Sequence, residues 1–337
     1  MKLINHSNSI YKVNRKRIWK PRMIIKTIIA FIIVFLFAGV VYENVSYSND
    51  IEALKTSSKY TTINGKKIHY SYKGGGEHTV VMDSDTGYTM YEWQKVIDTM
   101  PSHIKVNTFI YDRAGFGESD KGEYENPEAQ ARKLHLMFRK LNLQAPYILV
   151  GDGYGSLVMT TFAKLYPEEV AGMVLVNPIN EKYLDSSEYV KAIKDGSISR
   201  NLQKVGSYIG LNRIMDKLGL ISYPEGLIEN LEDIYAEDII AHRFSKDYNT
   251  AVINEMEVLI NRDSSSQSEG MLGDTPLAII VNKDKHHFGQ LELKTLTNSQ
   301  KIEIHEIDVK GDVIPLENPK SIHDAIQKII NIIELEN

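Results

Sequence analysis

The chain has 337 residues, 42% hydrophobic and 25% charged, enough to bury one large core or two modest ones. It contains no cysteine, which excludes disulfides, thiolate metal sites and a cysteine nucleophile. The net charge of −5 hides an asymmetry: residues 1–42 carry eight Lys/Arg and no acid, leaving 31 basic against 44 acidic residues in 43–337, a net of −13. Such acidity argues against nucleic acid as a partner of the main body.

Residues 1–22 form a basic leader that runs directly into an apolar stretch, 23–42. From Thr27 to Tyr42 there is no charge, and Lys26 can snorkel to an interface. Twenty helical residues reach about 30 Å, enough to span hydrocarbon. The positive flank predicts a cytoplasmic N-terminus and an extracytoplasmic body on a single-pass anchor at the cell membrane. A cleaved signal peptide is the alternative, and the lack of an A-x-A site after Ala38 argues against it. Residues 43–58 are polar and read as a stalk.

Beyond the stalk, YTTI (60–63) and KIHYSY (67–72) flank Asn64-Gly65 and predict a hairpin. Apolar runs at 78–82, 106–111, 147–150 and 173–176 then alternate with helical patterns around 93–100, 127–141 and 154–166. This alternation predicts a mostly parallel sheet flanked by helices, occupying 59–180. Residues 181–270 carry helical patterns without strands, with Met215, Leu218, Met256 and Leu259 as expected core positions. Strand patterns at 276–281 and 302–307 and a helix over 319–335 resume the sheet in 271–337.

The segment YILVGDGYGS (147–156) reads as a strand, a sharp glycine turn and the start of a helix. That is the layout of the nucleophile elbow G-x-S-x-G, with Gly153 at the apex in place of the serine. Together with YDRAGFGESD (111–120) and the strand-free insertion, it makes the chain from about residue 60 onward resemble the α/β-hydrolase superfamily, in particular its capped, membrane-anchored bacterial members. The resemblance implies an α/β-hydrolase fold with a helical cap at 181–270. It puts the catalytic acid at Asp284, and the histidine position falls on Asp312. In the oxyanion loop MDSDTGY (82–88), Ser84 fits the pattern while Asp85 replaces a glycine.

Serine hydrolysis needs an oxygen nucleophile and a histidine to accept its proton. Glycine has no atom to acylate, and an aspartate is a poor substitute for imidazole near neutral pH. Ser156 reads as a helix-start serine, and His286-His287 as a solvated pair. The expectation is therefore a membrane-anchored, non-catalytic pseudo-hydrolase that binds a small ligand or partner between cap and core. Ser84, Asp85, Asp152 and Tyr154 are the ligand-binding candidates. An active hydrolase of small esters or amides with an unconventional nucleophile is one alternative. A divalent-cation-binding module built from Asp85, Asp152, Asp284 and Asp312 is the other, although separate solvated acids are the expected arrangement and no metal site is assigned. No cofactor is expected.

Overall fold

The computed structural model describes residues 21–54, 58–261, 265–284, 288–311 and 313–336. Asp312, His286, His287 and leader residues 1–20 lie outside the described residues.

Eight strands form one sheet: β1 (Lys59–Ile63), β2 (Lys66–Lys73), β3 (His78–Asp83), β4 (Val106–Tyr111), β5 (Tyr147–Asp152), β6 (Val170–Val176), β7 (Leu277–Asn282) and β8 (Ile302–Ile307). Their order is β1-β2-β4-β3-β5-β6-β7-β8. The β1–β2 hairpin and the β2–β4 pair are antiparallel, and every pair from β4 to β8 is parallel. Among the described residues there are ten α-helices: α1 (Pro21–Ala53), N-terminal to the sheet, and α2 (Gln94–Asp98), α3 (Pro127–Leu141), α4 (Tyr154–Leu165), α5 (Ser187–Ser207), α6 (Leu211–Lys217), α7 (Asp233–Arg243), α8 (Lys246–Ile260), α9 (Ile314–Glu317) and α10 (Pro319–Glu336), which flank the sheet or build the insertion.

Strand alternation divides the core between the two sheet faces. Val81 and Leu149 pack with Phe138 of α3 and Phe162 of α4 on one side. Val80, Met82, Ile148 and Val150 pack with Trp93 and with Ile322, Ile326 and Ile329 of α10 on the other. Both faces are covered, which is why these strands read as continuous apolar runs.

Between β6 and β7 the described chain is helical, and its polarity is inverted in places. Leu259 is buried, whereas Leu218, expected in the core, is 68% exposed, and Met215 is only half-buried. The difference is one of face: α6 turns Arg213 inward toward α1 and Asn212 inward toward α5, and its aliphatic side outward.

The stretch expected as a stalk is helical through Ala53, because nothing between Tyr42 and Ala53 breaks the helix. At 33 residues α1 is about 50 Å long, against roughly 30 Å of hydrocarbon. Residues Pro21–Glu52 are long and apolar enough to contain a membrane span. The remainder docks on the cap: Arg213 Nε reaches Glu43 Oε1 and Oε2 at 3.0 and 2.9 Å, and the same guanidinium pairs with Asp50.

Candidate functional site

The parallel sheet brings the ends of β3, β4 and β5 together. At the end of β5 the chain turns through Gly153, whose φ of 46° and ψ of −114° suit glycine and strain any other residue. Gly155 permits the close approach to β3 that the turn requires: a Cβ there would lie 2.3 Å from Asp83 O. The Gly153 N–H donates to Val176 O at 3.0 Å, and its carbonyl accepts from Ser156 N and Oγ at 3.1 and 2.6 Å. Ser156 is thus spent inside the turn, and its Oγ also accepts from Ile179 N at 3.1 Å.

Gly153 faces a carboxylate. A Cβ built on it would meet Asp85 Cγ and Oδ1 at 2.1 Å, so Asp85 fills the volume an apex side chain would need. Asp85 Oδ1 accepts from the backbone N–H of Tyr154 and of Thr86, both at 2.7 Å. In the hydrolase elbow the oxyanion hole is made by the N–H of the residue after the nucleophile and an N–H from the loop after β3. Tyr154 and Thr86 hold those two positions, and the Asp85 carboxylate takes both donors.

Below Asp85 lies a second acid group. Asp85 N donates to Glu92 Oε2 at 3.1 Å, and the Asp152 carboxyl lies close enough to Glu92 for each to act on the other's ionisation. Both are buried. Burial pushes Glu92 up to about 8 despite its bond to Asp152, with the charge of Asp85 adding to the rise. Burial, then the charges of Glu92 and Asp85, raise Asp152 well above the carboxylate range.

The loop itself is pinned by Arg113, just beyond β4. Its Nη1 donates to Asp83 Oδ1 at 2.6 Å and to Ser84 O at 2.5 Å, and Nη2 reaches Asp85 O at 3.1 Å. Nε and Nη2 grip Glu255 of α8 at 2.7 and 3.0 Å, and Thr86 Oγ1 donates to the same carboxylate at 2.8 Å. Arg113 therefore ties the oxyanion loop to the cap through a buried bidentate pair.

Two of the acids expected to stay apart and solvated, Asp85 and Asp152, instead converge with Glu92. Asp284 does stay exposed beyond β7, its N–H on Asn282 Oδ1 at 3.3 Å. Among the described residues no group of three or more His, Asp or Glu could hold a metal ion. Ser84 is buried and donates to Thr89 O at 3.0 Å, and Tyr154 is wholly buried with its ring 5.2 Å from the Arg113 guanidinium carbon. Sequence reasoning missed Glu92 and Glu255. The available signal for Glu92 was an acid between Tyr91 and Trp93 on an apolar helical face.

Described histidines pair elsewhere: His69 with Asp112 at 2.7 Å, His135 with Glu169 at 3.0 Å, and His323 donates to Val96 O at 2.7 Å.

A sheet of this order, a glycine elbow after β5 and a helical insertion after β6 define an α/β-hydrolase-fold protein. The family model for the alpha/beta hydrolase fold matches residues 74–249, and the chain belongs to that family. It is 26% identical over 122 residues to the uncharacterized protein YqjL of Bacillus subtilis, a match covering 36% of this chain and 47% of that one. It is 22% identical over 218 residues to monoacylglycerol lipase ABHD6 of Homo sapiens, covering 61% of this chain and 64% of the relative. The matches thus span about half to two thirds of these relatives' own length. Among solved structures, the Cif epoxide hydrolase from Acinetobacter nosocomialis aligns with a TM-score of 0.66 at 12% identity, over 86% of this chain and 96% of that one. A thermophilic esterase from Thermogutta terrifontis aligns with a TM-score of 0.61 at 18% identity, over 82% and 99%. At these identities the structural likeness speaks for the fold.

Proposed function

We propose that this chain is a membrane-anchored, extracytoplasmic pseudo-hydrolase that binds a small ligand or partner in the cleft between cap and core. The observation that carries the reading is the Asp85 carboxylate, seated against Gly153 and on both oxyanion-hole donors. The elbow apex is glycine, which has no side chain to act as nucleophile, and the two N–H groups beside it are taken by a carboxylate. Removing one oxyanion donor costs a serine hydrolase about 10²–10³ in rate, and here both donors are engaged. The basic flank of the apolar helix supports an extracytoplasmic body.

The test is the full chain in detergent micelles, offered a serine-reactive fluorophosphonate and a panel of short esters and amides beside an Asp284→Ala variant. The expected result is no covalent adduct and no turnover above the variant. The relationship to a monoacylglycerol lipase favours the second reading, an active ester hydrolase. Turnover that collapses in Asp284→Ala would establish that reading and end the first.

A further inference from the structure

Cap helices α5 and α6 each turn an apolar stripe to solvent. On α5 it is Ile198, Leu202 and Val205, 64 to 70% exposed and spaced i, i+4, i+7. On α6 it is Leu211, Ile214 and Leu218, spaced i, i+3, i+7 and 41 to 68% exposed. Side chains at these spacings share one helix face. Exposed apolar side chains grouped on the faces of two successive helices mark an interaction site.

The turn joining the two helices is fastened to α1 at the top of its apolar span. A Cβ on Gly39 would lie 2.5 Å from Ile209 O, so α1 and the turn touch backbone to backbone. A Cβ on Gly210 would lie 2.7 Å from the Tyr42 ring. Lys217 Nζ donates to Tyr42 OH at 3.0 Å, a cation and a phenol side by side as at a headgroup boundary. Gly39 precedes Tyr42 by about 4.5 Å of helical rise, which sets the turn at or just inside the end of the span.

We infer that the outer face of α5 and α6 is a membrane-contacting surface, lying in the interfacial layer of the same bilayer that α1 crosses. This rests on α1 being the anchor. Continuity with the span selects lipid as the occupant: the turn between the two helices meets α1 at Gly39 and Tyr42, within the apolar stretch 23–42. Interfacial helices bury their apolar face about 5–10 Å into the headgroup and acyl boundary. The cap would then be held against the membrane on one side and against the oxyanion loop on the other, through Glu255 and Arg113.

The absence of cysteine makes the test clean. Full-length chains carrying Leu202→Cys, Leu218→Cys, Val34→Cys in the span, or Asp324→Cys on α10 are labelled with an environment-sensitive fluorophore. They are reconstituted in phosphatidylcholine–phosphatidylglycerol vesicles with and without spin-labelled quencher lipid. Expected are a blue shift and loss of most emission at 202, 218 and 34, with none at 324. Quenching at 34 while 202 and 218 behave like 324 would overturn the inference and leave the anchor standing. No quenching at 34 would remove the anchor and the inference with it. Protection of 202 and 218 from aqueous iodide without lipid quenching would mean a second protein copy covers the face, which also overturns it.

Discussion

Restoring the missing serine should fail unless Asp85 goes as well. A Cβ at Gly153 would sit 2.1 Å from Asp85 Cγ, whereas carbon atoms settle about 3.5–4.0 Å apart. Gly153→Ser must therefore expel the carboxylate from Tyr154 N and Thr86 N, each a 2.7 Å bond to a charged acceptor. Overpacking of this kind costs about 1–3 kcal/mol. A side chain at φ 46°, ψ −114° adds about 1–3 kcal/mol of backbone strain. Those two costs sum to about 2–6 kcal/mol, and lost bonds to Asp85 add to them. Asp85→Gly alone should cost about 1–3 kcal/mol through the bonds. In the double variant the collision is gone, so its loss should fall short of the sum of the two single losses by about 1–3 kcal/mol. The assay is equilibrium urea unfolding of the full chain in micelles, followed by the fluorescence of buried Trp93. Additivity within about 0.5 kcal/mol would refute the placement of Asp85 against the elbow.

Glu92, pushed up to about 8, keeps in the folded state a proton that the unfolded chain loses near 4.5. Its contribution is fully present below that lower value and is lost as pH rises through the upper one. The stability of the natural chain relative to Glu92→Gln should thus fall by up to about 1.4 kcal/mol per pH unit across this window, and parallel profiles would sink the claim. Glu255→Gln leaves the buried Arg113 with one carboxylate fewer; a loss of about 3–5 kcal/mol in unfolding free energy is expected. Gly39→Leu should detach α1 from the cap, since its Cβ meets Ile209 O, at a cost of about 1–3 kcal/mol. A control at Val34, exposed on the same helix, should show no such effect.

Much of the fold was legible because parallel strands buried on both faces leave unmistakable apolar runs, and Asn64-Gly65 could only be a hairpin turn. The elbow was legible for the same reason: Gly151, Gly153 and Gly155 follow one such run. What escaped was long-range pairing of polar groups. Arg113 reads as a loop cation until Glu255, 142 positions away, is brought beside it. That α1 continues through Ala53 and docks on the cap was not legible, because polarity says nothing about whether a helix continues into a docking surface. Leu218 looked like core because helical periodicity identifies an apolar face without saying what lies against it.

The changes at positions 85 and 153 also make physical sense only together. A hydrolase elbow that lost its serine alone would leave two convergent N–H groups, Thr86 and Tyr154, with no internal acceptor. A buried donor left unmade costs about 1–3 kcal/mol. Asp85 answers both with one oxygen, and it can do so only because the apex is glycine: any Cβ there would occupy the same volume. Burial, with the charge of Asp85 adding to it, raises the neighbouring Glu92 and Asp152, so both favour their protonated, neutral forms. The space beside the Tyr154 and Thr86 N–H groups is thus filled by the Asp85 carboxylate. Any ligand entering beside Gly153 must then either neutralise Asp85 or displace it, which favours cationic or hydrogen-bond-donating groups over the carbonyls a hydrolase would polarise.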